Sequence, residues 1–506
     1  MSYIDYVLNT NNQRFSNYSQ GRKLYLGEHY EVFGMNQFEY FTNSKNYLVY
    51  NYFEVLTNSF SNLIWSEAPS FVLAQKENQD YVDELVNEVG LMTTLRECTE
   101  TASYAGDAVV RLRKDGDKTL IEQIDNSSWF PIYNTSNPSS KATGHIIRYI
   151  KKVKDSSSKD KEYWLLEIHT AGLIEWEAYE LDKDNKPKKM ANPMIIFGVE
   201  LMNILVESDG VLESNYKYKT GCDLPLVFHL KNNSISNEFF GLSDYTVPLI
   251  AKNYALNQNL NQIQYVLKRH AHPKMVVDKK TISDATNQVL EDDDYAKVLN
   301  FGDKKEAQRI SSRLGKKLFD TTVAQEVMNK IELFPGSDDR QKPEYITWQA
   351  NLDESRAMID YLGKSMLTES QVSPILVDPS QASGGLSGIA ILRMAQTSLW
   401  KAEKKQSYLR TFIANMLYSA LQLNGLTAEY PTIKFRDGLV NDVKELIDEE
   451  SAKLDAGLQT KVDAISNIEG VSSKEAELKY QKVLDEQNLL GGNTNLITVN
   501  DTTSNN

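Results

Sequence analysis

Three places in this sequence carry residue types suited to phosphate or acyl chemistry. Gly363-Lys364-Ser365 has the closing triplet of a phosphate-binding loop, in which loop amides and a lysine wrap the phosphates. Such a loop needs a glycine five residues ahead, and Met358 stands there. The stretch "SQASGGLSGIAILRM", residues 380–394, sets glycines ahead of an apolar-patterned segment, where free amides and the positive end of a helix attract anions. No lysine follows those glycines, so a nucleotide cradle is not expected there either. "GGLSG" and "FGLSDY" approach the G-x-S-x-G turn of a nucleophilic serine, but neither keeps the final glycine in register. The serine of that turn also needs a later histidine. None follows Ser387, and Ser243 is followed only by His270 and His272. Hydrolase chemistry is not expected.

Metal and thiol chemistry fare no better. His270 and His272 in "RHAHP" have no acidic or thiol partner at ligand spacing, and they read as cations closing a helix. The acidic clusters at 291–294 and 338–339 lack calcium-loop spacing and read as solvated loops. Cys98 and Cys222 read as structural thiols. No catalytic residue, metal ligand or cofactor is expected. "SLWKAEKKQSYLR" places Lys401, Lys404, Lys405 and Arg410 along one helix. They form either a solvated or inter-subunit ion-pairing face, or a sparse contact with a passing phosphate backbone.

The totals bound what these groups can belong to. The chain has 506 residues, 41% of them hydrophobic and 25% charged, which describes a folded protein of two to four domains. Its formal charge is −14, from 55 Lys+Arg against 69 Asp+Glu. That balance argues against a broad phosphate-gripping face, but it suits a nucleic acid that must pass without sticking. Two cysteines cannot staple a chain of this length, so a reducing compartment is expected. The opening "MSYIDYVLNTNNQRF" lacks the basic and apolar parts of a signal peptide. No apolar run reaches the roughly 18 residues of a membrane helix. The expectation is an intracellular, soluble protein with no membrane contact.

Periodicity places the elements that must position these residues. "YLVYNYFEVLTNSFSNLIW" sets Tyr47, Leu48, Phe53, Leu56, Phe60, Leu63 and Ile64 at near-helical spacing, and a second helical region runs from about 79 to 104. From 107 to 229 the period changes to that of strands, beginning with two about a D-G turn and including "HIIRYIKKVK", "EYWLLEIHTAGLIEWEAYEL" and "NILVES". Leu249, Leu256, Leu260, Ile263 and Leu267 then form a helical stripe ended by His270 and Pro273. A small α/β insertion follows to about 349, with strand-like "KMVVD" and "EYITWQA" around the helical "LFDTTVAQEVMNKIELF". "NLDESRAMIDYLGKSMLTES" predicts one more helix. Between Gly388 and Gly425 no glycine or proline interrupts a stripe of Leu392, Ala395, Leu399, Ala402, Leu409, Ile413, Met416 and Ala420. A helix of that length, roughly 50 Å, spans an assembly or a bundle. The tail to about 487 is helical, charged and broken at Gly457 and Gly470; the last residues read as disordered.

This order of parts resembles the portal protein of tailed bacteriophages, in the branch of long-tailed phages of Gram-positive hosts. "YLGEHYEVF" resembles the family's early aromatic-glycine-basic segment. "LPLVFHLKNN…FGLSDYTVPLIAKNYALNQNLNQ" resembles its P-h-v-x-f-x-N-N … G-x-S-D … L-I-x-x-Y-N block. "ASGGLSGIAILRMAQTSLWKAEKKQ" resembles the S-G-x-A-h block leading the long helix, and "LDAGLQTKVDAISNIEGVSSKEAELKYQKVLDEQ" its C-terminal segment.

The resemblance implies an α+β, mainly helical fold with wing, stem, clip and crown regions that assembles into a ring. Residues 1–243 would be the wing, 244–272 a stem helix, 273–349 the clip and 350–370 the second stem helix. Residues 371–387 would be the tunnel loop, 388–436 a long helix returning to the wing, 437–490 the crown and 491–506 a disordered tail. The tunnel-loop residues at the channel would be Asp378, Pro379, Ser380, Gln381, Ser383, Gly384, Gly385 and Ser387, with Lys401, Lys404 and Lys405 facing DNA or a neighbouring subunit. Implied partners are further copies in a dodecameric ring, double-stranded DNA in transit, terminase, the head-tail adaptor, and capsid and scaffolding proteins. The implied place is the capsid portal vertex, after assembly in the host cytoplasm. It would not be an enzyme, since the motor is the terminase. The alternatives are another head-morphogenesis component, an adaptor or minor capsid protein without a DNA channel, and a nucleotide-dependent enzyme that Lys364→Ala would disable.

Overall fold

Alternating apolar and polar residues build strands wherever one face is buried. In the computed structural model of the chain they do so throughout the region that begins at Asp107. The structure describes residues 2–10, 13–33, 48–116, 118–137, 141–154, 160–182, 186–193, 195–197, 216–270, 274–277, 332–335, 344–346, 352–378, 380, 388–435, 443–469, 471 and 473–493. The protein is mixed α/β, with 55% of its residues helical. It divides into two units: residues 1–33, 51–250 and 366–506 in the first, 34–50 and 251–365 in the second.

The first unit opens with α1 (Tyr3–Leu8), α2 (Gln13–Tyr25), α3 (His29–Phe33), α4 (Tyr52–Trp65), α5 (Lys76–Asn87) and α6 (Leu91–Ala105). Phe53, Leu56, Phe60, Leu63 and Ile64 of the expected stripe are all buried on α4. The expected second helical region is two helices, α5 and α6, because Gly90 adopts a left-handed backbone (φ +77°) between them. Strands β2 (Asp107–Asp115) and β3 (Lys118–Ile124) form the D-G hairpin, and β10 (Val227–Lys231) pairs antiparallel with the other edge of β2. A second antiparallel sheet runs β4 (Trp129–Ile132), β5 (Gly144–Lys154), β6 (Asp160–Thr170), β7 (Leu173–Leu181) and β8 (Pro187–Lys189), with β9 (Lys217–Lys219) also on β7. The expected strand "NILVES" lies outside the described residues.

Further along the chain stand α9 (Pro374–Val377) and the 36-residue α10 (Gly388–Leu423), about 54 Å long. Ala395, Ala402, Leu409, Ile413, Met416 and Ala420 of its expected stripe are buried. The four from Leu409 on pack with Leu95, Val110, Leu112 and Phe228 in one core, each large side chain worth about 1.5–3 kcal/mol relative to exposure. Beyond the helix, β14 (Thr432–Lys434) pairs with β1 (Ser70–Val72), Ile433 opposite Phe71. Helices α11 (Val443–Asp455), α12 (Lys461–Glu469) and α13 (Ser473–Asn493) close the unit.

Two helices run through both units, α7 (Val247–His270) and α8 (Asp353–Ser370). In the second unit β11 (Lys274–Val277) pairs parallel with β12 (Glu332–Pro335) and antiparallel with β13 (Glu344–Ile346). Residues 332–334, expected at the end of a helix, are therefore strand; the rest of that expected helix lies outside the described residues. Residues 34–50, expected with the N-terminal region, belong to this unit. The reason is an asparagine ladder on α7. Asn257 Oδ1 accepts from Tyr50 N at 2.7 Å, Asn261 Oδ1 accepts from Leu48 N at 2.8 Å, and Asn253 and Asn261 donate to the carbonyls of Tyr50 and Leu48. Three asparagines at i, i+4 and i+8 serve an extended segment as a strand edge would. The buried face of α7 thus holds Asn253, Asn257 and Asn261 beside Leu249 and Leu256, while Leu267 of the expected stripe is exposed.

Candidate functional site: the root of the glycine-rich loop

The segment "FGLSDY" is built by close backbone approach. A Cβ on Gly106, which ends α6 in a left-handed conformation, would meet the Gly241 carbonyl at 2.7 Å, and a Cβ on Gly241 would overlap the Gly106 carbonyl. Asp107 then fixes the segment. Its Oδ1 accepts from Gly241 N (2.7 Å) and lies 2.6 Å from His229 Nε2, while Oδ2 accepts from Tyr18 Oη at 2.6 Å. Ser243 Oγ donates to the carbonyls of Ser103 and Tyr104 and accepts from Tyr245 N. It caps the end of α6.

Asp244, the next residue, is buried, and two of the five basic residues on α10 converge on it. Lys405 Nζ lies 2.6 Å from Oδ2 and Lys401 Nζ 3.0 Å from Oδ1. Ser103 Oγ also donates to Oδ2, at 2.7 Å. Lys405 donates further to Asn232 Oδ1. The Phe60 ring lies 4.6 Å from the Lys401 ammonium and 5.6 Å from that of Lys405, within cation–π range. Burial pushes the Asp244 carboxyl up, but the charges of Lys405 and Lys401 and the hydrogen bonds from Lys405 and Ser103 outweigh it, so it lies well below the usual carboxylate range. Burial pushes the Lys405 ammonium down, to about 8, against the opposing pull of Asp244.

Lys401, Lys404 and Lys405 therefore do not share one outward face. Lys405 is 6% exposed and turned inward, and Lys401 is 16% exposed. Lys404 faces solvent. In the single chain Lys405 is buried against Asp244. The reason is helical geometry: 401 and 405 are one turn apart on the face that meets the start of α7, and 404 lies off that face.

The root of the loop is held on the same face of α10. Helix α8 ends with Gln371 in a left-handed conformation (φ +61°), uncommon for a residue with a Cβ. Val372 N donates to Leu367 O (3.0 Å) and Gln371 N to Thr368 O (3.2 Å), the paired bonds of a helix stop. Ser373 N donates to Ser398 Oγ (2.7 Å), Ser398 Oγ to Gln371 O (2.8 Å), and Ser373 Oγ to Met394 O (2.8 Å). Lys401 Nζ donates to Ser370 O at 3.0 Å. Pro374 opens α9, and beyond it Ser380 N and Oγ donate to Asp378 Oδ1 at 3.1 and 2.6 Å. Of the expected tunnel-loop residues these two are placed; Pro379, Gln381, Ser383, Gly384, Gly385 and Ser387 lie outside the described residues.

The remaining chemical candidates resolve locally. Gly363-Lys364-Ser365 sits inside α8, with Ser365 Oγ accepting from Lys252 Nζ at 2.9 Å. Cys98 and Cys222 are buried free thiols, and burial pushes both thiols up, away from nucleophilic character. Among the described residues, no cluster of His, Cys, Asp or Glu forms a metal site, and no helix is long and apolar enough to cross a membrane. The arrangement can hold chain segments in place. Sequence reasoning singled out the "FGLSDY" turn and the α10 lysines but did not join them. It missed the asparagine ladder, whose i, i+4, i+8 spacing is visible in "NYALNQNLN".

Residues 4–488 match the family model described as "Phage portal protein, SPP1 Gp6-like". The chain belongs to the phage portal protein family. No curated protein matches the chain. Its function is that of a phage portal, with a place in the virion capsid and in genome packaging. Portal proteins are a structural, non-enzymatic family.

Proposed function

We propose that copies of this chain close into a ring of twelve at one capsid vertex, and that double-stranded DNA passes through its channel during packaging and ejection. The observation that carries this reading is the family match over residues 4–488. In this reading 1–243 is the wing, 244–272 and 350–370 the stem, 273–349 the clip that docks terminase and the head-tail adaptor, and 437–490 the crown. Residues 371–387 are the tunnel loop and 388–436 the helix behind it. The two compact units take 1–33, 51–250 and 366–506, and 34–50 and 251–365.

The physics supports transit over capture. Cationic walls hold phosphates by releasing counterions, whereas a charge of −14 on each chain, repeated around a ring, gives a surface that lets DNA slide. A cyclic ring needs heterologous contacts, one face of each subunit on a different face of the next. Trp400, 60% exposed, and Met394 on α10 are apolar groups such a contact would cover. Of Lys401, Lys404 and Lys405, it is Lys404 that remains turned outward for DNA or a neighbour. Negative-stain microscopy of the purified protein tests the ring. Rings with a DNA-width channel are expected; monomers or compact dimers at every salt and concentration would sink it. Deleting residues 380–385 is expected to leave rings intact and to impair DNA packaging, and loss of assembly would show those residues to be a packing element instead.

A further inference from the structure

One face of α10 is given over to two tasks. Met394 O, Ser398 Oγ, and the Lys401 and Lys405 ammoniums lie at i, i+4, i+7 and i+11; the first three hold the loop root, and the last two hold Asp244. Lys401 does both. Its Nζ is 3.0 Å from Asp244 Oδ1 and 3.0 Å from the carbonyl oxygen of Ser370, the last residue of α8. A carbonyl at a helix C-terminus has no partner within its helix and carries the negative end of the helix dipole, so an ammonium suits it.

The charge count shows that Lys401 is not there to neutralise Asp244. Lys405 already does so from the deeper position, at 2.6 Å, and its remaining hydrogen bond goes to Asn232. A second ammonium on one carboxylate leaves the cluster with excess positive charge, which is unfavourable away from water. The Ser370 carbonyl and the Phe60 ring offset that excess. We propose that Lys401, steadied by Asp244, is a positioning residue for DNA transit: it ties the end of α8 to α10, so that the entry into residues 371–387 is held on the same helix into which those residues return at Gly388. The same contact ties the end of α8 to Asp244, three residues ahead of α7. This rests on the reading of 371–387 as the tunnel loop.

The test compares wild type with K401M, K401R and the 380–385 deletion, each in assembled phage heads. Ring images, amide exchange at Val372 and Ser373, and the yield of DNA-filled heads are recorded. K401M is expected to form rings in wild-type yield but to speed exchange at Val372 and Ser373 by about ten-fold, the factor for loss of one charge-assisted hydrogen bond. Its yield of filled heads should fall at least as far as that of the deletion. K401R should restore both readouts. K401M heads that fill normally and exchange at wild-type rates, while the deletion impairs filling, would overturn the assignment of Lys401 alone. Failure of K401M to form rings would make Lys401 a folding element and overturn it too. If the deletion itself fills normally, the tunnel-loop reading falls, and the role of Lys401 falls with it.

Discussion

Two buried ionic networks in the first unit solve the same problem in opposite ways. In the β-rich part, Arg111 reaches Glu167 (2.7 Å), Glu122 (2.6 Å) and Tyr149 (2.6 Å), while Arg113 takes the other oxygen of Glu122 (2.7 Å). Two guanidiniums meet two carboxylates, in planar forks, between β2 and β3 of one sheet and β5 and β6 of the other. At Asp244 one carboxylate meets two flexible ammoniums carried by a helix 157 and 161 residues away. The first network is balanced and joins rigid sheets. The second is over-supplied with cations and joins helix ends beside a loop. The difference separates a staple from a joint.

The contrast can be broken at either end. Asp244→Asn should have the largest effect, since both ammoniums then face a neutral amide: about 3–5 kcal/mol, read as the shift of the denaturant midpoint. A near-neutral result would show the lysines relaxing to solvent. Glu167→Gln should cost less, about 1.5–3 kcal/mol, because Arg111 keeps Glu122 and Tyr149. Burial pushes the Glu167 carboxyl up, but Arg111 and His169 bring it down to about 2, from an ordinary 4.5. Its contribution is therefore fully present above pH 4.5 and lost as pH falls toward 2, and the variant should lack that acid slope.

A third buried group sharpens the comparison because it has no charge to balance. His145 Nδ1 accepts from Trp129 Nε1 at 3.0 Å, and burial, helped by His229 and His169, pushes the imidazole down to about 3. Between pH 6.5 and 3 the unfolded chain takes up a proton that the folded one refuses, so stability falls as pH drops through that window, by at most about 1.4 kcal/mol per unit. His145→Leu should flatten that part of a pH series of urea titrations. Smallest of all, Lys404→Met should leave the denaturant midpoint unmoved, since the side chain faces solvent and joins neither network. A clear loss would mean that the helix face has been assigned wrongly.

How much was legible beforehand depended on distance along the chain. The stripe on α4, the D-G hairpin and the interrupted-by-nothing helix α10 were readable, since period and breakers act over a few residues. So was the absence of a phosphate loop at Gly363-Lys364-Ser365, which lies in a helix as its amphipathic surroundings implied. The break at Gly90 and the strand at 332–334 were not, because a single glycine and a short apolar run fit either state. The lysines were singled out by spacing, but the partner of Lys401 and Lys405, Asp244, stands 157 and 161 residues away, beyond the reach of local pattern.

By itself, the sequence determined the class of protein, through motifs spread over most of its length, and the elements that local period can specify. That a glycine must stand at position 241 of "FGLSDY" shows only in space, where a Cβ would overlap the carbonyl of Gly106. Tertiary structure alone decided that Lys405 turns inward, that Lys401 serves both Asp244 and Ser370, and that Asn253, Asn257 and Asn261 bind a strand-like segment more than 200 residues earlier. The physical reason is common to all three. Whether a polar side chain is solvated, paired or buried depends on which partner the fold brings within about 3 Å, and residue type and spacing state only what it is able to bind.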